Sequence, residues 1–122
     1  MKKIMIAGES AEKFTVVGVS PSAEYVGERL GAILGTTLAH SPDSENGVHE
    51  IRVGRTSRSC RRLKIDGIGR EGYIIRCALG SIFIRANTEA GVRAGAEKLV
   101  SLCGGEDDSV FPDGYFLKKT DE

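Results

Sequence analysis

The sequence lacks tryptophan, holds only three prolines and three cysteines, and has no net charge, with 17 Lys+Arg against 17 Asp+Glu. Each shortage excludes something. Charge neutrality argues against a globally basic nucleic-acid binder. The cysteines, Cys60, Cys77 and Cys103, are odd in number and far apart, with no C-x-x-C pair. That excludes a disulfide framework and a zinc-ribbon pattern, and it points to a reducing, cytoplasmic compartment. No apolar run approaches the ~20 residues of a membrane span. The opening Ile4-Met5-Ile6-Ala7 is shorter than the ~7–15 apolar residues of a signal-peptide core. It reads instead as a strand, so neither a membrane nor a secretory leader is expected.

What is present is ordinary for one globular domain. The 122 residues form a single expected domain, 1–122, long enough to bury a core without metal or disulfide. Glycine is abundant at 16 residues, against a usual share of about 7%. Lys3 to Ala7 reads as a strand. Phe14 to Val19 reads as a second strand, paired with the first as a hairpin around the polar turn 8–12. Ser20 as N-cap and Pro21 at the first helical position open a helix. Val26, Leu30, Ile33 and Leu34 give that helix one apolar stripe, and Gly35 closes it. Residues 39–48 read as a loop, and Glu50–Val53 as a half-buried strand.

Tyr73 to Leu79 and Ile82 to Ala86 read as a hairpin about Gly80-Ser81. Asn87 or Thr88 caps a second helix, Glu89 to Leu102, with Val92, Ala96, Leu99 and Cys103 on its buried side. Gly91 and Gly95 each cost such a helix about 1 kcal/mol against alanine. Their spacing of one turn predicts very close packing against a sheet or partner. Cys77 and Cys103 fall at core positions. Val110 to Leu117 allows a last edge strand, weakened by Pro112 and Gly114, and residues 118–122 are expected to fray. The expected class is α+β (an α/β two-layer fold): one mixed sheet with two helices on one face, in the order β-β-α-β-β-β-α with the optional edge strand.

Motifs for chemistry are sparse. His40 and His49 have no acid or nucleophile at a motif spacing. Gly8-Glu9-Ser10-Ala11 is not a nucleophile elbow. Gly67-Ile-Gly-Arg-Glu-Gly72 matches G-x-G-x-x-G in letters, but it precedes a strand rather than opening a helix, so no dinucleotide cofactor is expected. No cofactor or metal of any kind is called for. One local feature stands out: from Arg52 to Lys64 there are six basic residues and no acidic one. Arg55, Arg58, Arg61 and Arg62 are the candidate binding residues, for an anion such as a uronate or a phosphate. The run has no aromatic residue, which argues against nucleic acid.

The residues Phe14-Thr-Val-Val-Gly-Val-Ser-Pro-Ser-Ala-Glu-Tyr-Val-Gly-Glu-Arg-Leu30 and Ile33-Leu34-Gly35 resemble the opening of a known domain. It is the N-terminal, non-catalytic domain of α-glucuronidases and β-N-acetylhexosaminidases (β-hexosaminidase-like domain 2). Glu50 to Arg58, the hairpin segments 72–76 and 81–86, and Thr88-Glu-Ala-Gly-Val-Arg-Ala-Gly95 resemble its later elements in order and spacing. The resemblance spans residues 3–104. It implies a mixed sheet with two helices on one side and a domain that packs against a following (β/α)₈ barrel, where the catalytic carboxylates lie. The chain is then expected to be a non-enzymatic accessory domain of a carbohydrate-active enzyme. Its partner is a catalytic glycosidase domain in cis or in trans, with carbohydrate as the further ligand. Where the family's closing helix tends to carry aromatics, this chain has Ala94 and Glu97, followed by Gly-Gly-Glu-Asp-Asp. The alternative expectation is a stand-alone module binding an anion through residues 52–64.

Overall fold

A computed structural model describes residues 3–44, 47–54 and 67–120. It has nine strands and two helices among those residues: β1 (Ile4–Ile6), β2 (Glu9–Ser10), β3 (Thr15–Val17), α1 (Pro21–Leu34), β4 (Ala39–Ser41), β5 (Glu50–Val53), β6 (Tyr73–Ala78), β7 (Ser81–Arg85), α2 (Glu89–Cys103), β8 (Ser109–Phe111) and β9 (Phe116–Lys119). The α+β class holds. The strands, however, divide into two sheets, a small one ordered β2-β1-β8 and a six-stranded one ordered β4-β3-β5-β7-β6-β9. In the larger sheet β4, β3, β5 and β7 run parallel, while β6 is antiparallel to both β7 and β9.

Both helices cover the same face of the larger sheet, α1 over β3–β5 and α2 over β6–β7, and they pack on each other. Their N-termini lie together, where Ser22 Oγ donates to Glu89 Oε1 at 2.8 Å. One turn further on, the Arg93 guanidinium lies 3.8 Å from the Tyr25 ring centre. The expected apolar positions Val26, Leu30, Leu34, Val92, Ala96, Leu99 and Cys103 are all buried. They meet Ile51, Val53, Ile75, Cys77, Ile82 and Ile84 from the sheet, and one core runs through the domain.

The glycine pair on α2 sets the distance between the layers. A Cβ on Gly91 would lie 2.6 Å from the Gly72 carbonyl oxygen and 2.7 Å from Ala86 Cβ. One on Gly95 would lie 2.7 Å from Ile84 Cγ2 and 3.2 Å from the Tyr73 side chain. The helix backbone therefore rests directly on the β6–β7 hairpin, as the sequence predicts. The turn holding Gly67, Gly69 and Gly72 clasps the start of the helix. Thr88 Oγ1 accepts from Gly91 N–H at 3.1 Å and also donates to the Arg70 carbonyl. Asn87 Nδ2 donates to the Gly69 carbonyl at 3.0 Å. The G-x-G-x-x-G letters thus build a structural turn ahead of β6.

Several expectations are corrected. β1 and β3 form no hairpin. A 3-10 turn at Ala11–Lys13 redirects the chain, so β1 pairs with β2 and, in parallel, with β8, while β3 joins the larger sheet. Ala39–Ser41 is a parallel edge strand rather than loop; two of its three side chains are exposed, so no apolar pattern marks it. The hairpin turn is Leu79-Gly80, one residue earlier than expected. Both residues have positive φ, 54° and 76°, as a tight turn matched to strand twist requires. Val110–Leu117 is two strands in different sheets, because the turn at Pro112–Gly114 carries the chain from one to the other. Lys118 and Lys119 do not fray; they pair with Ile74 and Tyr73. Ser20 precedes α1 but makes no side-chain cap, and its buried hydroxyl has no partner among the described residues. Its carbonyl closes the first turn instead, by accepting from Ala23 N–H at 3.0 Å.

Replacing a helical glycine by alanine ordinarily stabilises a helix by about 1 kcal/mol. At Gly91 the sign reverses, because the new methyl meets backbone that cannot move aside. Gly91→Ala is expected to lower stability by about 1–3 kcal/mol in urea denaturation, whereas Gly105→Ala, at an open position, changes it by less than about 0.5 kcal/mol.

Candidate functional site

The candidate residues Arg55, Arg58, Arg61 and Arg62 lie outside the described residues, as do Cys60 and Lys64. Arg52, the first cation of the run, is described. It sits on β5, half-buried, on the face of the larger sheet opposite the helices.

Strand alternation builds that face. Tyr73, Ile75 and Cys77 on β6 and Ile82 and Ile84 on β7 turn toward the helices and are buried. The intervening residues turn the other way. Register then lines up Arg52, Phe83, Arg76 and Phe116 across β5, β7, β6 and β9. One step along, Arg85, Ile74 and Lys118 form a second row on β7, β6 and β9. The guanidinium of Arg52 lies 5.6 Å from the Phe83 ring centre and that of Arg85 lies 5.5 Å from it, within cation–π range. Phe116 is 57% exposed. The carboxylate on these strands, Glu50, is buried and accepts from Ser44 Oγ at 2.8 Å. Sequence reasoning counted Arg52 in the basic run without choosing it as a binding residue, and it missed this face. Its signal was the alternation Arg76, Phe83, Arg85, Phe116, Lys118 between core residues, legible only once the strands are set side by side.

A second concavity, an open groove of about 650 Å³, lies between α1 and β4 and includes Ala23, Gly27, Gly31, Thr36, Leu38 and His40. His40 Nε2 is within 3.0 Å of the Gly18 carbonyl, and His49 packs its ring against Phe14 with centres 5.4 Å apart. No group of three His, Cys, Asp or Glu is placed to hold a metal among the described residues, and no helix there is long and apolar enough to cross a membrane.

The outward face of the helix pair is polar. Arg93 and Glu97 sit on α2 3.6 Å apart, both side chains largely in solvent. The apolar patch that domain packing would favour beside Gly91 and Gly95 is not there. The large exposed apolar side chains among the described residues are Val19, Val48, Leu79, Val110 and Phe116.

Displaced pKa values belong to the core. Burial pushes the Tyr73 phenol up, with help from Tyr115. Burial also raises the Cys77 thiol, with help from the Asp113 charge and against a hydrogen bond at Ala7.

The comparisons with known proteins bear on the fold. No protein-family model matches the chain, and no curated protein does. Solved structures do match. An N-acetyl-β-hexosaminidase of Streptomyces plicatus is 24% identical over 88% of this chain, with a TM-score of 0.52. The GH20 β-N-acetylhexosaminidase of Streptomyces coelicolor A3(2) is 23% identical over 90% of it, also with a TM-score of 0.52. In both cases the chain spans only 22% of the hexosaminidase's length. The chain thus shares its fold with about a fifth of each of those hexosaminidases.

Because the Tyr73 and Cys77 protons are held more tightly in the fold, the unfolded chain releases them first. Stability is therefore complete below the usual values of 9.0 for the thiol and 10.0 for the phenol, and is lost as pH rises through the higher folded values. The urea midpoint is expected to stay level between about pH 7 and 8 and to fall from about pH 9 upward, with Tyr73→Phe flattening the upper part of the fall. A fall that begins below pH 8 assigns the titration to other groups.

Proposed function

We propose that this chain is a non-catalytic accessory domain of a glycoside hydrolase, of the kind found in β-N-acetylhexosaminidases and α-glucuronidases. Its partner is the catalytic domain of such an enzyme. The observation that carries the reading is the lopsided coverage: about nine-tenths of this chain is matched, against 22% of each hexosaminidase. Four-fifths of those enzymes has no counterpart here. The polar helix face favours attachment in cis over association in trans. Interfaces between domains of one chain are commonly polar and of modest area, and tethering replaces affinity with effective concentration. A reducing, cytoplasmic setting is part of this reading, supported by two thiols, Cys77 and Cys103, buried within the core.

The test has two arms. The reading frame around the segment is sequenced, and the isolated chain is assayed on a chromogenic N-acetyl-β-glucosaminide. A neighbouring stretch of repeated strand–helix pattern, together with an isolated chain that does not hydrolyse the substrate, is the expected result. Hydrolysis by the isolated chain, or a frame without a second domain and no binding to a hexosaminidase barrel in trans, overturns it.

A further inference from the structure

We infer that the helix-free face of the larger sheet binds an anionic polysaccharide of the uronate class, with Arg76, Arg85 and Lys118 receiving its carboxylates and Phe116 stacking beneath a sugar ring. The choice of a sugar polymer rests on the accessory-domain reading. The face itself is argued from its geometry.

Charge comes first. Arg52, Arg76, Arg85 and Lys118 stand together in two adjoining rows, on a protein whose charges cancel overall. The Lys13–Glu9 and Arg93–Glu97 ion pairs lie on other elements. Glu50, the acid on the same strands, is buried beneath Ser44. Arg76, Arg85 and Lys118 are exposed on this face, and Arg52 is half-buried beside them. Such a surface is complementary to a polyanion.

Arrangement comes second. Phe83 lies under both the Arg52 and Arg85 guanidinium groups. A guanidinium held near a ring keeps N–H donors for a carboxylate, which it can meet two at a time. Arg52 and Arg76 are two strands apart, about 10 Å, so they suit charges repeated along a chain rather than one small anion.

The aromatic content selects among polyanions. Single-stranded nucleic acid is held by several open rings, one per base. Here Phe83 is covered by guanidinium, and Phe116 is the ring left open. One apolar ring with cations around it suits the C–H face of a pyranose whose carboxylates reach the arginines.

The experiment uses the whole 122-residue chain and three probes: polygalacturonate, neutral dextran and a single-stranded oligothymidylate. Polygalacturonate is expected to bind at low salt, to be released by salt near 1 M, where screening acts within about 3 Å, and to bind more tightly than either other probe. Arg76→Gln with Arg85→Gln is expected to weaken it about tenfold or more, from the loss of two charge-assisted contacts. Phe116→Ala weakens it about threefold or more. Arg29→Gln, on the helix side, leaves it unchanged. All four positions are exposed, and an unaltered thermal transition confirms folding. Binding no tighter than dextran overturns the inference. So does full affinity in the double variant, or tighter binding of oligothymidylate. None of these results touches the accessory-domain reading, which stands or falls on the reading frame and the hydrolysis assay.

Discussion

The contact on which the rest of the structure depends is that between the α2 backbone and the β6–β7 hairpin. Gly91 and Gly95 remove the two side chains that would hold the layers apart. The resulting approach lets Val92, Ala96, Leu99 and Cys103 reach Ile75, Cys77, Ile82 and Ile84. The unfavourable helix propensity of two glycines is offset by that burial, which at about 25 cal/mol per Å² outweighs ~2 kcal/mol once a few side chains are covered. α1 then takes its place from α2, through the Ser22–Glu89 hydrogen bond and the Arg93–Tyr25 stack. With both helices on one side, β7, β6 and β9 present Arg85, Arg76, Phe116 and Lys118 on the other.

The elements that could be read from sequence are those whose signal is local and apolar. The α1 stripe, the αL cap at Gly35 and the β6 and β7 alternation all follow from side chains that must be buried together. The Gly91/Gly95 spacing was legible for the converse reason, since two glycines inside a helix need a packing cause. What escaped were the elements defined by backbone pairing. β4 exposes two of its three residues and exists because β3 offers it a ladder. The division of 109–119 between two sheets depends on partners far away in sequence. The Ser20 cap failed for want of geometry: the right residue stands at the right place, but its hydroxyl does not reach a helical N–H.

The site was less legible than the fold. The dense basic run 52–64 drew attention because its charges are adjacent in sequence, yet Arg55 to Lys64 fall outside the described residues. The cations of the open face are 24 or more residues from Arg52 in the chain, and they become neighbours only through register. A one-residue shift of β6 against β7 would exchange Arg76 for a core position, so this surface is a product of pairing and not of composition. The G-x-G-x-x-G letters show the opposite case, a dense local signal whose role is mechanical: its carbonyls hold the cap of α2.

The pairing of β1 with β8 has a consequence for synthesis. β1 leaves the ribosome well before its parallel partner, since Ile4 pairs with Ser109, and β9 follows later still. Ile4 and Ile6 therefore wait for their β8 partners until Ser109 to Phe111 have been made. The domain cannot close stepwise from β1, and its small sheet forms only once β8 has emerged, as a clasp between distant segments. Such long-range closure is slow relative to local helix formation, and it leaves the nascent chain exposed to chaperones and to aggregation for as long as the clasp stays open.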